Sequence, residues 1–226
     1  MIRNVAVIPA RAGSKRIKDK NIKSFCGKPL IDYAISEALE SDLFDEVFVS
    51  TDSREIADIA IKCGAKVPYY RSPRLSDDFT PLWEVTLDFL KRFEGKKYDY
   101  CCTLFCNPFV RKESIKESYL KLIQTDKDHC FSVRKLDYHP GRIFTVNNDT
   151  CEMLSPGNFN TRTQDLPVFY EEAAQFRWSK TNFRSPFFYD SNSIAFPIPE
   201  YLVCDVDTEQ DWSLAELKFK RLFHHE

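Results

Sequence analysis

The stretch Val5-Ala6-Val7-Ile8-Pro9-Ala10-Arg11-Ala12-Gly13-Ser14-Lys15-Arg16 decides how the chain is read. Val5–Ile8 is a short β-branched run ended by Pro9, the pattern of a strand buried on both faces. A loop rich in cations follows it. Outward from that loop, strand and helix patterns alternate. Ile31, Ala34, Ile35, Ala38 and Leu39 form one helical stripe, and Glu46–Ser50 reads as the next strand. Asp52-Ser53-Arg54-Glu55 resembles a capping box before a helix over Ile56–Cys63, which Gly64 closes. Strands over Lys66–Tyr70 and Tyr98–Phe105, and helices over Leu82–Phe93 and Ser114–Ile123, continue the rhythm. Strands separated by helical patterns imply βαβ units. The expected class is α/β, a Rossmann-like, doubly wound, mostly parallel sheet.

The second half loses the alternation. From Leu136 to about Tyr170 the chain is rich in Asn, Thr, Pro and Asp, yet it carries Tyr138, Phe144, Phe159, Phe169 and Tyr170. So many large apolar groups suit a β-rich arm that packs on a partner better than a solvated loop. Ordered patterns return at Gln175–Trp178 and Ser193–Phe196, and Thr208-Glu209-Gln210-Asp211 opens a last helix over Glu209–Leu222. One domain over residues 1–226, with an arm inserted at about 137–170, is the expected organisation.

Composition excludes several function classes. The 226 residues carry 32 Lys+Arg against 34 Asp+Glu, a net charge of -2, so no global basic field exists to hold nucleic acid. Hydrophobic residues make up 43% and charged residues 29%, too apolar for disorder. Apolar runs such as Val5–Ala10 and Cys101–Cys106 are too short to cross a bilayer. The Lys/Arg cluster follows the first apolar run instead of preceding it, unlike a signal peptide, so a cytoplasmic location is expected. The eight cysteines are scattered without a C-x-x-C pair, and His129, His139, His224 and His225 show no zinc spacing with them. Free, mostly buried thiols are expected.

The first loop has the makings of a phosphate site. Arg11, Lys15, Arg16, Lys18, Lys20, Lys23 and Lys28 are opposed within it only by Asp19. A charge run is commonly a solvated face, but this one leaves the first strand of a parallel sheet, where open α/β sheets bind ligands. Gly13 lets the backbone turn and approach an anion, and Ser14 adds a donor. The dinucleotide fingerprint is absent, since no G-x-G occurs, and Gly27-Lys28-Pro29 lacks the parts of a Walker loop. Farther on, Asp205 and Asp207 flank one apolar residue at the end of a strand-like stretch. Period two puts both carboxylates on one face, a pattern suited to Mg²⁺ with substrate phosphates. The spacing admits equally a solvated turn with helix-capping acids. Glu209 and Asp211 complement the N-terminus of the last helix.

Ile8-Pro9-Ala10-Arg11-Ala12-Gly13-Ser14-Lys15-Arg16-Ile17, Lys20-Asn21-Ile22-Lys23 and Phe25-Cys26-Gly27-Lys28-Pro29-Leu30-Ile31 resemble the acylneuraminate (nonulosonic acid) cytidylyltransferases. The resemblance continues through Val49-Ser50-Thr51-Asp52, Arg71-Ser72-Pro73-Arg74-Leu75-Ser76-Asp77-Asp78 and Asp205-Val206-Asp207-Thr208-Glu209-Gln210-Asp211-Trp212. Within that family, Ser14-Lys15-Arg16-Ile17, Thr163-Gln164-Asp165-Leu166 and Ala174-Gln175-Phe176 look most like the members acting on pseudaminic acid.

The resemblance implies a nucleotide-diphospho-sugar transferase fold and transfer of CMP from CTP to a nine-carbon acidic sugar, with Mg²⁺ on Asp205 and Asp207. It implies Ala10, Arg11, Gly13, Ser14, Lys15, Lys20, Asn21 and Arg71 around the nucleotide, with Arg11, Lys15 and Lys20 in catalysis. An acidic sugar needs a cation for its carboxylate, for which Arg162 in the arm is the candidate, with Gln164 and Gln175 for hydroxyl or acetamido groups and Phe176 beside them. The resemblance also implies a homodimer in which the arm reaches the neighbour. A surface role for Arg162 and structural roles for the glutamines are equally open. N-acetylneuraminate and octulosonate are the alternative sugars, and a nucleotide-sensing homologue without turnover is the alternative of another class. Two segments depart from the family pattern: Leu104-Phe105-Cys106-Asn107-Pro108, and Pro81-Leu82, where relatives carry small hydroxyl residues.

Overall fold

The structure, a computed structural model, describes residues 2–93 and 98–223. Its first half runs β1 (Asn4–Pro9), the two-residue strands β2 (Ser24–Phe25) and β3 (Lys28–Pro29), α1 (Leu30–Glu40), β4 (Glu46–Ser50), α2 (Arg54–Lys62), α3 (Leu82–Arg92), β5 (Tyr100–Leu104) and α4 (Lys112–Ile123). The second half runs β6 (His129–Lys135), β7 (Phe144–Asn147), β8 (Thr150–Met153), β9 (Tyr170–Lys180), β10 (Ser193–Pro197) and α5 (Glu209–Phe223). The main sheet has the order β10-β6-β9-β5-β1-β4, with β9 antiparallel to both neighbours and the other pairings parallel.

β1 lies between β4 and β5, and Val5–Ile8 are wholly buried, which is why their sequence is apolar without alternation. Period two still divides them. Ala6 and Ile8 join a core with Ile31, Ala34 and Ile35 of α1 and Ile115 and Leu122 of α4, while Val5 and Val7 meet Phe48 and Phe89 of α3 on the opposite face. Helices thus cover both faces. A third cluster, containing Ile17, Phe25, Leu30, Phe109, Trp212 and Phe219, fastens the first loop to α5. The helix starts follow the sequence. Ser53 Oγ accepts from the Ile56 N–H at 3.3 Å, and Thr208 and Asp211 cap each other reciprocally at 3.1 and 2.8 Å.

Several expectations change. Lys66–Tyr70 is not a strand; it makes only isolated bridges, Phe48 with Lys66 and Thr51 with Tyr70. Pro68 between them has no N–H to donate. The stretch before Asp205 is a 3₁₀ turn, Glu200–Leu202, followed by residues outside any ladder. β6 is a strand that the sequence pattern does not announce, and β9 extends from Tyr170 to Lys180. The arm contains the hairpin β7–β8, paired apart from the main sheet and turning at Asn148 and Asp149, both left-handed with φ of 48° and 63°. All eight cysteines are free thiols; His224 and His225 lie outside the described residues. No described helix is long and apolar enough to cross a membrane.

Candidate active site

The loop after β1 is folded by its own backbone and by polar neighbours. The Ala10 N–H donates to Ser50 O at 2.9 Å, the Ala12 N–H to Asp52 Oδ1 at 3.0 Å, and Asn21 Nδ2 to Arg11 O at 3.0 Å. Ile17, 1% exposed, pins the loop's far side into the α5 cluster. Between these anchors the loop edges a cleft of about 650 Å³ at the carboxyl ends of β1 and β5. Arg11, Ser14, Lys15, Lys20, Asn21 and Arg71 line it, and so do Asp205 and Asp207. Leu82, Val85, Phe105 and Ala174 supply an apolar part of the wall.

The cations are held by carboxylates. Arg11 donates to Asp78 Oδ1 at 2.6 Å, and Lys15 pairs with the other oxygen of the same carboxylate. These hydrogen bonds, from Lys15 first and then Arg11, hold the Asp78 carboxyl below its usual range. Asp207 takes Arg16 at 3.1 Å and Lys20 at 3.4 Å, and Asp205 takes Arg134 at 3.0 Å. Arg71 is 5% exposed, its Nε donating to Ser76 Oγ at 3.1 Å, and burial pulls its pKa down. Burial likewise pushes the Cys106 thiol in the cleft wall up to about 12, which keeps it protonated and a poor nucleophile.

Other expected site residues lie elsewhere. Ala10 is fully buried behind the loop. Gly13 has no left-handed φ, so the turn does not demand glycine, but an added Cβ would meet nothing within 4 Å, leaving room for a ligand. Gln175 and Phe176 are both wholly buried: Phe176 packs in the main core, and Gln175 Nε2 donates to Leu202 O at 2.8 Å. Within this chain neither is open to a sugar. Arg162 pairs with Asp165 on the arm at 2.7 Å, and Gln164 lines a separate cavity of about 990 Å³ with Arg134, Tyr138 and Lys218. Asp78, Arg134 and Asn107 also reach the site, as partners of Arg11 and Lys15, of Asp205 and of Cys204 O, without being expected from the sequence. The adjacent acids Asp77-Asp78 in a loop were the available signal for the first.

The acidic pair fits a hard cation. Its side chains are 51% and 45% exposed, both face the cleft, and both offer only oxygen. Among the described residues no group of three or more His, Cys, Asp or Glu could hold a metal. A cation here needs further oxygens from a substrate, the arrangement Mg²⁺ favours.

A doubly wound sheet with a cationic loop at its carboxyl edge and an acidic pair across the cleft defines a nucleotidyltransferase type of molecule. More narrowly, the chain belongs to the cytidylyltransferase family, whose family model matches residues 5–222. It is 38% identical over 225 residues to a pseudaminic acid cytidylyltransferase of Campylobacter jejuni, covering 97% of each chain. It is 31% identical to a CMP-N,N'-diacetyllegionaminic acid synthase of Legionella pneumophila, covering 95% of each. A CMP:2-keto-3-deoxy-manno-octonic acid synthetase solved with CTP superposes with a TM-score of 0.70 over 97% of this chain and 99% of that one; at 16% identity the likeness is one of fold.

Proposed function

We propose that the chain transfers CMP from CTP to the anomeric hydroxyl of a nine-carbon acidic sugar, pseudaminic acid, in the cytosol and with Mg²⁺, releasing pyrophosphate. The observation that carries this reading is the meeting of Arg11, Lys15 and Lys20 with Asp205 and Asp207 in one cleft. The 38% identity over nearly the whole of a pseudaminic acid cytidylyltransferase supports the choice of sugar.

In this reading the sugar oxygen attacks the α-phosphorus, the bond from that phosphorus to the bridging oxygen of the β-phosphate breaks, and the hydroxyl proton passes to water. Catalysis is mostly positioning and charge neutralisation. Arg11 and Lys15 leave Asp78 for the phosphates, Lys20 steadies the leaving pyrophosphate, and Ser14 donates a hydrogen bond. Asn21, already bonded to Arg11 O, holds the Arg11 backbone in place. Arg71 is assigned to the cytosine end. Mg²⁺, when bound at Asp205 and Asp207, supplies positive charge at the reacting phosphate and lowers the pKa of the attacking hydroxyl.

Arg162 and Gln164 are assigned to the sugar in the cleft of a second copy. Exposed Phe144, Val146 and Phe159 on the arm suit burial there. Sedimentation of the purified chain tests the homodimer: a monomer at micromolar concentration would remove this assignment.

The test of the reaction is the initial rate of pyrophosphate release from CTP and pseudaminic acid against Mg²⁺ concentration. Asp205→Asn and Asp207→Asn should need far more metal, with partial relief by Mn²⁺. Metal dependence like that of the wild type in both variants would leave the acids as helix-start residues.

A further inference from the structure

The two carboxylates sit on a ribbon that no sheet holds. Residues 203–207 belong to no strand, and Val206 alone is buried, at 6% exposed, in the α5 cluster. Arg16, Lys20 and Arg134 hold the carboxylate ends, but a ribbon without a ladder has no register of its own, and its backbone needs separate anchors.

Three consecutive carbonyls, from the end of the 3₁₀ turn into this ribbon, each accept a hydrogen bond from a different side chain. Gln175 Nε2 of β9 donates to Leu202 O at 2.8 Å, Lys218 Nζ of α5 to Val203 O at 2.6 Å, and Asn107 Nδ2 after β5 to Cys204 O at 3.3 Å. The donors come from three separate parts of the fold. Asn107 is 8% exposed and uses both ends of its amide, since Oδ1 accepts the Phe109 N–H at 2.9 Å. Gln175 is wholly buried and its Oε1 has no hydrogen-bond partner. An orphaned oxygen there is a standing penalty that an apolar side chain of the same shape would avoid. What the amide does at its other end is therefore the reason for a glutamine.

We infer that Gln175, Lys218 and Asn107 are positioning residues that set the Asp205–Asp207 ribbon for cation binding. This rests on the metal reading given above. It gives the departure at Cys106-Asn107 a role, since the Asn107 amide spans from the segment after β5 to Cys204 O. It also replaces a sugar contact for Gln175 with a backbone one.

The test is Mn²⁺ binding to the full-length chain with saturating CTP and no sugar, read from the loss of the free-ion resonance, with melting temperature in parallel. Gln175→Met, Lys218→Met and Asn107→Ser each delete one donor. Met at position 218 keeps the apolar stem, and Ser at 107 keeps an acceptor for the Phe109 N–H but is too short to reach Cys204 O. Each variant should weaken Mn²⁺ about tenfold, the lower end for groups that act through a ligand. Gln175→Met removes one orphaned oxygen but leaves the buried Leu202 O without its donor, so its melting temperature should stay close to that of the wild type. A purely structural role would instead lower the melting temperature and leave Mn²⁺ affinity alone. Affinity within twofold of wild type in the folded variants overturns the inference. Lys218→Met carries the test alone should both buried variants fail to fold. Asp205→Asn is the control: unchanged Mn²⁺ binding there would overturn the metal reading and the inference with it, whereas weakened binding there with intact binding in the tether variants overturns only the inference.

Discussion

Ala174→Gly should stabilise the protein. Ala174 lies in the cleft wall with φ of 46°, a left-handed conformation that glycine adopts freely and alanine does not. The conformation is imposed by an irregularity in β9. Its pairing with β6 slips between Arg177–Phe131 and Glu172–Val133, and the Ser132 hydroxyl accepts the Gln175 and Phe176 N–H groups at 3.1 and 3.2 Å. That slip lets Gln175 and Phe176 be buried side by side. A left-handed L-residue costs about 1–2 kcal/mol, and glycine gives back about 0.4–1 kcal/mol through its freer unfolded chain. The net gain is about 0.5–1 kcal/mol, which for a chain of this size raises the melting temperature by roughly 1–4 °C. Scanning calorimetry with a matching urea titration measures it. A lower melting temperature for Ala174→Gly would refute the reasoning, because it would mean that the methyl group's packing outweighs the backbone strain.

Three further outcomes follow from the same geometry. Lys15→Ala should keep its melting temperature, since the side chain is 78% exposed, and should lose roughly 10²–10³-fold in kcat/KM as a stabiliser of developing charge; near-normal kcat/KM would remove it from the site. Asp78→Asn should bind CTP more tightly in calorimetric titration, by up to about fivefold, because the carboxylate that competes for Arg11 and Lys15 is gone; weaker binding would mean that Asp78 orients those cations for the nucleotide. Asp128→Asn should flatten the loss of stability in acid. Burial alone would raise the Asp128 pKa, but hydrogen bonds from Arg184 and Asn192 at 2.8–2.9 Å hold it well below the usual carboxylate range. That stability is fully present above the unfolded pKa of about 3.9 and is lost as pH falls below it; an acid limb as steep as that of the wild type in Asp128→Asn would contradict this.

The fold was legible where local pattern and tertiary burial agree. Val5–Ile8 could only be a central strand, and the caps at Ser53 and Thr208 stand where their side chains say. Lys66–Tyr70 misled because its β-branched and aromatic residues outweighed one missing N–H at Pro68. β6 escaped because His129, Ser132 and Arg134 interrupt its apolar pattern; each is explained by a partner distant in sequence, such as Ser132 at the β9 irregularity. The cleft was legible in its cations and in Asp205 and Asp207, since charge clustered at a strand end survives without knowledge of packing. Gln175 was not, because whether a glutamine faces a ligand or a backbone carbonyl depends on one register slip that no local pattern encodes.

The most direct test of the account is pyrophosphate release by the wild-type chain, given CTP and Mg²⁺, with pseudaminic acid, N-acetylneuraminate and octulosonate in separate reactions, and with ATP, GTP and UTP in place of CTP. The account predicts release with CTP and pseudaminic acid at a kcat/KM above that for the other two sugars, formation of the CMP-sugar in equal amount, and little release with the other nucleotides. Tight CTP binding without pyrophosphate from any sugar would contradict it and favour a nucleotide-sensing protein that has kept the cleft and lost turnover.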